Sequence, residues 1–218
     1  MNLSLQALII RAFVLLTAMP IHECAHGWMA NWLGDDTAEY EGRLTLNPFV
    51  HLDLMGSILI LFAGFGWAKP VPVNPLNFRR HGITMRGGMA LTAIAGPLSN
   101  LIMGLLAFFA CKMVLVYASS LPIAVAQALL MVTQINIALA VFNLLPIYPM
   151  DGSRVISYFL PRKAIYFMEE HAQIIQTVFM ALILFTNVLD VPLNFLRSIV
   201  LDGFDVITSI GGFLPRIW

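Results

Sequence analysis

Long apolar runs separated by short polar segments dominate the hydrophobic pattern of the chain. Because about 20 consecutive apolar residues cross a bilayer as an α-helix, the pattern predicts membrane spans at residues 5–32, 89–117 and 123–145, and a fourth at about 172–188. Residues 195–213 contain three charged side chains. They therefore fit either a fifth span or a helix that lies at the membrane interface.

The segment between the first two predicted spans, residues 35–86, has a different pattern. The stretches "AEYEGRLTLNPFVHLD" and "AKPVPVNPLNFRRHG" are rich in Pro, Asn and Gly, and they alternate in places as extended chain does. Between them, "GSILILFAGFGW" is apolar but too short to span a bilayer, which is typical of a re-entrant or surface-dipping segment. We therefore predict a small β-hairpin or re-entrant element here.

Together these elements predict an all-α polytopic membrane protein. Its transmembrane core would have three helices and occupy residues 1–160, with the β-hairpin or re-entrant element between the first two. One or two C-terminal helices, transmembrane or interfacial, would occupy residues 161–218. Pro20 lies inside the first apolar run, where we expect it to bend the helix.

The composition agrees with a membrane protein. Of 218 residues, 59% are hydrophobic and 11% are charged, whereas a soluble domain has about 25% charged residues. The net charge is zero, which argues against nucleic acid as a partner, because phosphate binding needs clustered Lys and Arg. The two cysteines lie in apolar runs and do not form a disulfide framework.

The basic residues of the loops predict the orientation of the chain. Two loops carry most of them, one after the first span and one after the third. These residues are Arg43, Lys69, Arg79, Arg80, Arg86, Arg154, Arg162 and Lys163. By the positive-inside rule this side is cytoplasmic, so "HECAH" and "DGSR" are expected near the cytoplasmic ends of their spans.

His22, Glu23 and His26 form the pattern H-E-x-x-H inside the first apolar run. Residues four apart lie on one face of a helix, so the two imidazoles can bind one metal ion. Glu23 is rotated about 100° from His22 and can act on a water molecule at the metal without being a ligand. A charged group at membrane depth costs about 3 kcal/mol. A metal site therefore explains the pattern better than interior polar residues that bond to one another.

A catalytic zinc site has three protein ligands and leaves one position for water, so a third ligand must come from elsewhere. Asp151 is the leading candidate, because the prolines and glycine beside it break the helix and that backbone must be buried in protein or line a wet cavity. A helix cap or a partner for Arg154 is the other interpretation of Asp151. The remaining candidates are His51, Asp53, Glu169, Glu170 and His171. The last three, "EEH", fit a solvated helix start better than a metal site.

Three motifs together resemble the site-2 protease family of intramembrane zinc metalloproteases. They are "HECAH" in an apolar helix, "AGPLSN" at residues 95–100 and "NLLPIYPMDG" at residues 143–152. The first motif alone is moderately specific, and followed by N-x-x-P-x-x-x-x-D-G in hydrophobic sequence it is highly specific. The resemblance covers about residues 5–159 and is to the short type without PDZ or CBS domains. One small departure is Met150, where the family more often has leucine.

The resemblance implies a zinc-dependent intramembrane protease with Glu23 as the catalytic base. The implied zinc ligands are His22, His26 and Asp151. The expected substrates are single-span membrane proteins, hydrolysed in or near their transmembrane segments within the lipid bilayer.

Further residues are expected to contact the substrate. The resemblance implies that Asn143 holds the substrate or stabilises the oxyanion, and that Asn100 lies beside the substrate groove. Hydrogen bonds between membrane helices are the alternative role of both asparagines. We also hypothesise that residues 41–48, around Leu44, pair with the unwound substrate as an added strand. A hairpin that closes only on itself is the alternative.

Two other functions compete with the protease. A membrane metal transporter or a non-catalytic metal-binding scaffold could use the same histidines, but neither needs a carboxylate that is not a ligand beside them. An inactive relative acting as a chaperone would be expected to lack a ligand or Glu23, and all four residues are present.

Overall fold

The computed structural model describes residues 5–63, 66–118, 120–210, 212 and 214–216, and helices form its regular structure. No strand is present among these residues, so the all-α prediction is confirmed and the predicted β-hairpin is wrong. Residues 64 and 65 of the short apolar stretch lie outside the described residues. The same is true of residues 211 and 213 of the predicted C-terminal segment.

The described α-helices are, in chain order, α1 (Leu5–Phe13), α2 (Met19–Trp32), α3 (Thr37–Tyr40), α4 (Leu54–Ala63), α5 (Met85–Tyr117), α6 (Ile123–Asn143), α7 (Asp151–Phe159), α8 (Arg162–Glu170), α9 (Ala172–Phe185) and α10 (Asp190–Ser209). Three stretches are long and apolar enough to cross a membrane: Leu8–Trp32, Met85–Tyr117 and Ile123–Asn143. These confirm the three predicted core spans. The predicted fourth span corresponds to α9, which is shorter than expected with 14 residues.

The first span is one continuous helical stretch with an irregular turn in its middle. A π-helical turn, Val14–Ala18, joins α1 to α2. Pro20 follows directly, in the first turn of α2. Its ring removes one backbone donor and crowds the carbonyl four residues earlier, and a π-turn is one way in which a helix absorbs such a disturbance. The structure therefore shows a local widening just before the H-E-x-x-H turn, and the expected bend at Pro20 stays a prediction.

The chain divides into two compact units. The first contains Met1–Ser99 and Arg154–Phe159, and the second contains Asn100–Ser153 and Leu160–Trp218. The boundary falls inside α5 and again inside α7. The H-E-x-x-H turn belongs to the first unit, and the Asp-Gly turn belongs to the second.

In the first unit, Asp35 ties the end of α2 to the loop before α5. Its buried carboxylate accepts hydrogen bonds from the backbone N–H of Asn74 (2.6 Å), from the side chain of Asn77 (2.9 Å) and from Thr37. Burial by itself would raise the pKa of Asp35, but the hydrogen bonds from Thr37, Asn77 and Asn74 outweigh burial and hold this pKa below its usual value. The loop after residue 66 is thereby fixed to the helix that carries the histidines.

The short apolar stretch between the two proline-rich segments forms α4, and Arg11 of α1 binds its C-terminal end. The Arg11 guanidinium donates to the carbonyls of Leu61 (2.6 Å) and Phe62 (3.2 Å). The last carbonyls of a helix have no hydrogen-bond donor within their own helix. A cation near them also interacts favourably with the helix dipole. The returning chain passes close to α4, since a Cβ at Gly56 would lie 3.1 Å from the Trp67 side chain. The part of the stretch up to residue 63 thus forms a helix, and Trp67 lies beside the start of that helix.

In the second unit, the core lies between the later part of α5, α6 and α10. Its buried apolar side chains are Phe108, Ile137, Val141, Leu193, Leu201 and Phe204. Gly104 permits the close approach of these helices: a Cβ there would lie 3.3 Å from the ring of Phe204 and 3.4 Å from Cβ of Asn136. Close approach at small residues is how helices associate in lipid, where hydrophobic burial gives little drive.

Candidate metal centre

His22 and His26 lie one helical turn apart on α2, and the structure brings their ring nitrogens together. Their Nε2 atoms are 3.0 Å apart, and the rings meet edge to face. Both side chains are buried, with 7% and 9% of their surface exposed. The spacing of four residues therefore produces the convergent pair of imidazole nitrogens that the sequence predicted.

The orientation of the His26 ring is fixed by a carbonyl of α5. Nδ1 of His26 lies 2.6 Å from the carbonyl oxygen of Thr92. A carbonyl can only accept, so Nδ1 donates, and Nε2 of a neutral ring then carries the lone pair that a metal needs. The sequence analysis did not find Thr92, because this contact joins residues 66 positions apart and leaves no local pattern.

Gly96 provides the space in which both imidazoles lie. A Cβ at this position would be 2.5 Å from Cε1 of His26 and 2.7 Å from Cε1 of His22. Real Cβ atoms essentially never come so close to other atoms. The glycine of "AGPLSN" is therefore required by the two rings themselves.

Replacing Gly96 with alanine is expected to lower zinc affinity about 10- to 100-fold, as when an outer-shell partner of a metal ligand is lost, because the new methyl group pushes both rings aside. The measurement is zinc content against free zinc for purified protein. Gly203→Ala in α10 is the control, since no atom lies within 4 Å of the position that its Cβ would take. Unchanged zinc affinity in Gly96→Ala would show that the rings can move without cost.

Glu23 is half-buried beside the histidine pair, and a backbone amide holds its carboxylate. The N–H of Val71 donates to Oε2 of Glu23 over 3.0 Å. The two residues are 48 positions apart in the chain, so no local pattern indicated this contact. The loop before α5 therefore takes part in the site by orienting the carboxylate.

Leu44 is placed differently from the expectation. Residues 41–48 form turns and bends, with no strand partner among the described residues. A Cβ at Gly27 would lie 2.6 Å from Cδ2 of Leu44 and 3.2 Å from Cγ1 of Val71. Leu44 thus packs against α2 one turn after Glu23. The expected edge strand is absent, and a contact between Leu44 and a substrate stays a prediction.

In the second unit, a close backbone contact fixes the turn that contains Asp151. Asp151 is the first residue of α7 and is half-buried. A Cβ at the next residue, Gly152, would overlap the carbonyl oxygens of Leu144 and Leu145 at the end of α6. Only glycine permits this approach, so the Asp-Gly pair sets the position of the Asp151 backbone relative to α6.

The two candidate asparagines also lie in the second unit. Asn143 is the last residue of α6, and its Nδ2 donates to the Leu139 carbonyl over 3.0 Å. One of its two amide hydrogens is thereby used within its own helix. Asn100 is 1% exposed in α5, as expected for a residue that hydrogen-bonds inside the protein.

The other candidates for the third ligand have structural roles. Asp53 caps α4 by accepting from the N–H of Gly56 (2.7 Å), and Nε2 of His51 donates to the Thr45 carbonyl (2.8 Å). Glu169 and Glu170 end α8 rather than beginning a helix, and both are exposed. His171 bonds to the Phe167 carbonyl over 2.9 Å.

An apolar helix that crosses the membrane and carries two convergent imidazoles beside a carboxylate defines a membrane metalloprotein. Comparison with known proteins identifies its family. The model of Peptidase family M50 matches residues 112–187. A Bacillus subtilis (strain 168) protein named "Putative zinc metalloprotease YwhC" is 44% identical over 151 residues, which cover 67% of each chain. No solved structure matches. The chain belongs to Peptidase family M50.

Proposed function

We propose that this protein hydrolyses peptide bonds in or near the transmembrane segments of single-span membrane proteins. Its family, its relative and its three apolar helices make it a multi-pass membrane zinc metallopeptidase. The observation that carries the proposal is the pair of imidazoles whose Nε2 atoms lie 3.0 Å apart on a membrane-spanning helix. Such residues are costly at membrane depth and have a functional reason to be there.

The residues fit a zinc ion. Two imidazole nitrogens at about 2.0–2.1 Å from one tetrahedral zinc are about 3.3 Å apart, close to the 3.0 Å between the Nε2 atoms of His22 and His26. The bond to Thr92 holds His26 in the tautomer that binds through Nε2. We assign Asp151 as the third ligand, because aspartate is a common zinc ligand and Gly152 fixes the backbone beside it.

Glu23 is the proton carrier in this proposal. Bound zinc supplies Lewis acidity, which polarises a carbonyl and makes water more acidic. Glu23 accepts a proton from the water whose oxygen attacks the scissile carbonyl carbon, and it delivers this proton to the nitrogen as the C–N bond breaks. Because the Val71 amide holds Oε2, we assign the proton transfer to Oε1.

Asn143 and Asn100 are assigned to the substrate side of the site. The second amide hydrogen of Asn143 can donate to the substrate carbonyl and stabilise its negative charge in the transition state. Leu44 packs against Gly27, one turn after Glu23, which agrees with a contact near the scissile bond. For Asn100 we propose a position at the edge of the substrate groove.

The site is proposed to lie near the cytoplasmic face. The loop between the first two spans, residues 33–84, contains four basic residues, and Arg86 follows in the first turn of α5; such basic segments stay on the cytoplasmic side. His22 and His26 lie in the second half of the Leu8–Trp32 span, towards this loop. Water can reach that depth more easily than the centre of the bilayer.

A cleavage assay with mapped products tests the function and the orientation together. We expect zinc-loaded protein in detergent to cut members of a panel of single-span substrates in the cytoplasmic half of the span, as read by mass spectrometry. Protein stripped of metal should not cut until zinc is added back. Cuts confined to soluble loops would contradict the intramembrane site, and cuts in the opposite half would contradict the orientation.

A further inference from the structure

The chain that approaches Glu23 is residues 66–74, which form neither helix nor strand, and one proline lies on each side of the residue whose amide contacts Glu23. Pro70 and Pro72 flank Val71, and neither proline has an N–H. Val71 therefore supplies the N–H that this stretch gives to Oε2 of Glu23, over 3.0 Å. The orientation of the Pro70–Val71 peptide group therefore decides how the Glu23 carboxylate is held.

Arg43 binds the other end of the same peptide group. Its Nη2 donates to the carbonyl oxygen of Pro70 over 3.3 Å and to that of Lys69 over 2.7 Å. The Pro70 carbonyl and the Val71 N–H belong to one planar unit. A donor that fixes the carbonyl thus also orients the N–H, and hydrogen bonds in such a chain strengthen one another.

Arg43 is buried, so it is not an ordinary charge on the protein surface. Its side chain is 5% exposed, and it forms no salt bridge with any residue that the structure describes. Burying a charge without a counter-ion is costly. The backbone carbonyls of Lys69 and Pro70 offset part of this cost, although Nε of Arg43 has no hydrogen-bond partner among the described residues. The guanidinium and this short stretch therefore hold each other in place.

Further contacts hold Arg43 and the segment around Val71 in place. The N–H of Arg43 donates to the Ala38 carbonyl (2.8 Å), and the N–H of Lys69 donates to the His51 carbonyl (2.8 Å). The side chain of Val71 lies against the Cα of Gly27 in α2. Three contacts thus hold Val71 in place: its side chain packs on Gly27, the preceding Pro70 carbonyl binds Arg43, and its own N–H binds Glu23.

We propose that Arg43 is a positioning residue for the catalytic base: through the Pro70–Val71 peptide it holds the Glu23 carboxylate in the orientation for proton transfer. The inference rests on the proposed function, in which Glu23 carries the proton. Arg43 itself touches neither the metal nor the substrate in this assignment.

The expected result for Arg43→Met is a kcat about 10- to 100-fold lower, the scale of a small misplacement of a catalytic group. KM and zinc content should stay at the wild-type value. Arg43→Lys should recover much of the loss, because an ammonium can still donate to the carbonyls. Arg80→Gln is the matched control, since Arg80 also donates to a backbone carbonyl, that of Trp32 (3.2 Å), but at the far end of α2.

A double variant separates this inference from the proposed function. If Arg43 acts only through Glu23, Arg43→Met should cause no further loss in a Glu23→Gln background. A further loss there, or a raised KM with unchanged kcat, would overturn the positioning role. An unchanged kcat per zinc-loaded molecule in Arg43→Met, or in Arg43→Leu if the methionine variant does not fold, would also overturn it. Wild-type-like activity of Glu23→Gln would instead refute the proposed function.

Discussion

Replacing Glu23 with glutamine is expected to lower kcat by about 10²- to 10⁴-fold, the usual contribution of a general acid–base group. The amide has the size of the carboxylate but cannot take up the proton from water. Its oxygen can still accept the N–H of Val71, which now donates to Oε2 over 3.0 Å. The local geometry should therefore persist while the proton transfer is lost.

The measurement is turnover of a cleavable single-span substrate per mole of bound zinc. Zinc content should equal that of the wild type, because Glu23 is not one of the proposed ligands. Glu170→Gln is the control, since Glu170 is exposed at the end of α8 and its loss should leave turnover unchanged. Equal turnover of Glu23→Gln and the wild type would remove Glu23 from the role of base.

The helical parts of the fold were predictable because membrane crossing leaves a long-range signal. The sequence placed the second core span at residues 89–117 and the third at 123–145, and the structure has Met85–Tyr117 and Ile123–Asn143. The early start of α5 was missed because Arg86, Gly87 and Gly88 resemble loop sequence. The first turn of α5 lies before the apolar part of the span, so a search for apolar residues does not reveal it.

The loop between the first two spans was predicted wrongly for a physical reason. Alternation around Leu44 indicates extended chain, but a strand needs a partner whose backbone groups complete the ladder. Here side chains take that place: Arg43 binds the carbonyls of Lys69 and Pro70, and Asp35 binds the amide of Asn74. Such contacts join residues far apart in the chain and leave no periodic pattern.

The candidate site was predictable in part for a similar reason. The convergence of His22 and His26 follows from the helical period, which acts over a single turn. The bond that His26 donates to Thr92 and the bond that Val71 donates to Glu23 depend on how distant segments pack. Helical periodicity therefore predicted the atoms that would bind a metal, while their orientation required the fold.

The buried pair Lys112 and Asp205 joins α5 to α10 in the second unit. Lys112 is completely buried and Asp205 is 2% exposed. The ammonium donates to Asp205 Oδ1 (2.9 Å), Thr208 Oγ1 (3.0 Å) and Ser209 Oγ (2.7 Å), so three acceptors satisfy its three hydrogens. This arrangement explains how α10 can pack in an apolar core despite its charged residues.

Breaking the pair from either side should destabilise the protein strongly. Lys112→Met or Asp205→Leu alone leaves one buried group without its partner, which is expected to cost about 3–5 kcal/mol of unfolding free energy. The double variant should recover most of this loss, because well-packed apolar side chains often replace a buried ion pair at little cost. Unfolding in detergent, followed for the four proteins of the double-mutant cycle, measures the coupling.

The cycle also distinguishes a structural pair from a functional one. For a purely structural pair, the double variant should regain both stability and turnover. If it regains stability but not turnover, the charges take part in the reaction as well as in holding α10. Additive losses in the two single variants would contradict the pairing, because independent residues have no coupling energy. Asp202→Asn is the control on α10: Asp202 is exposed, so its loss should change stability little.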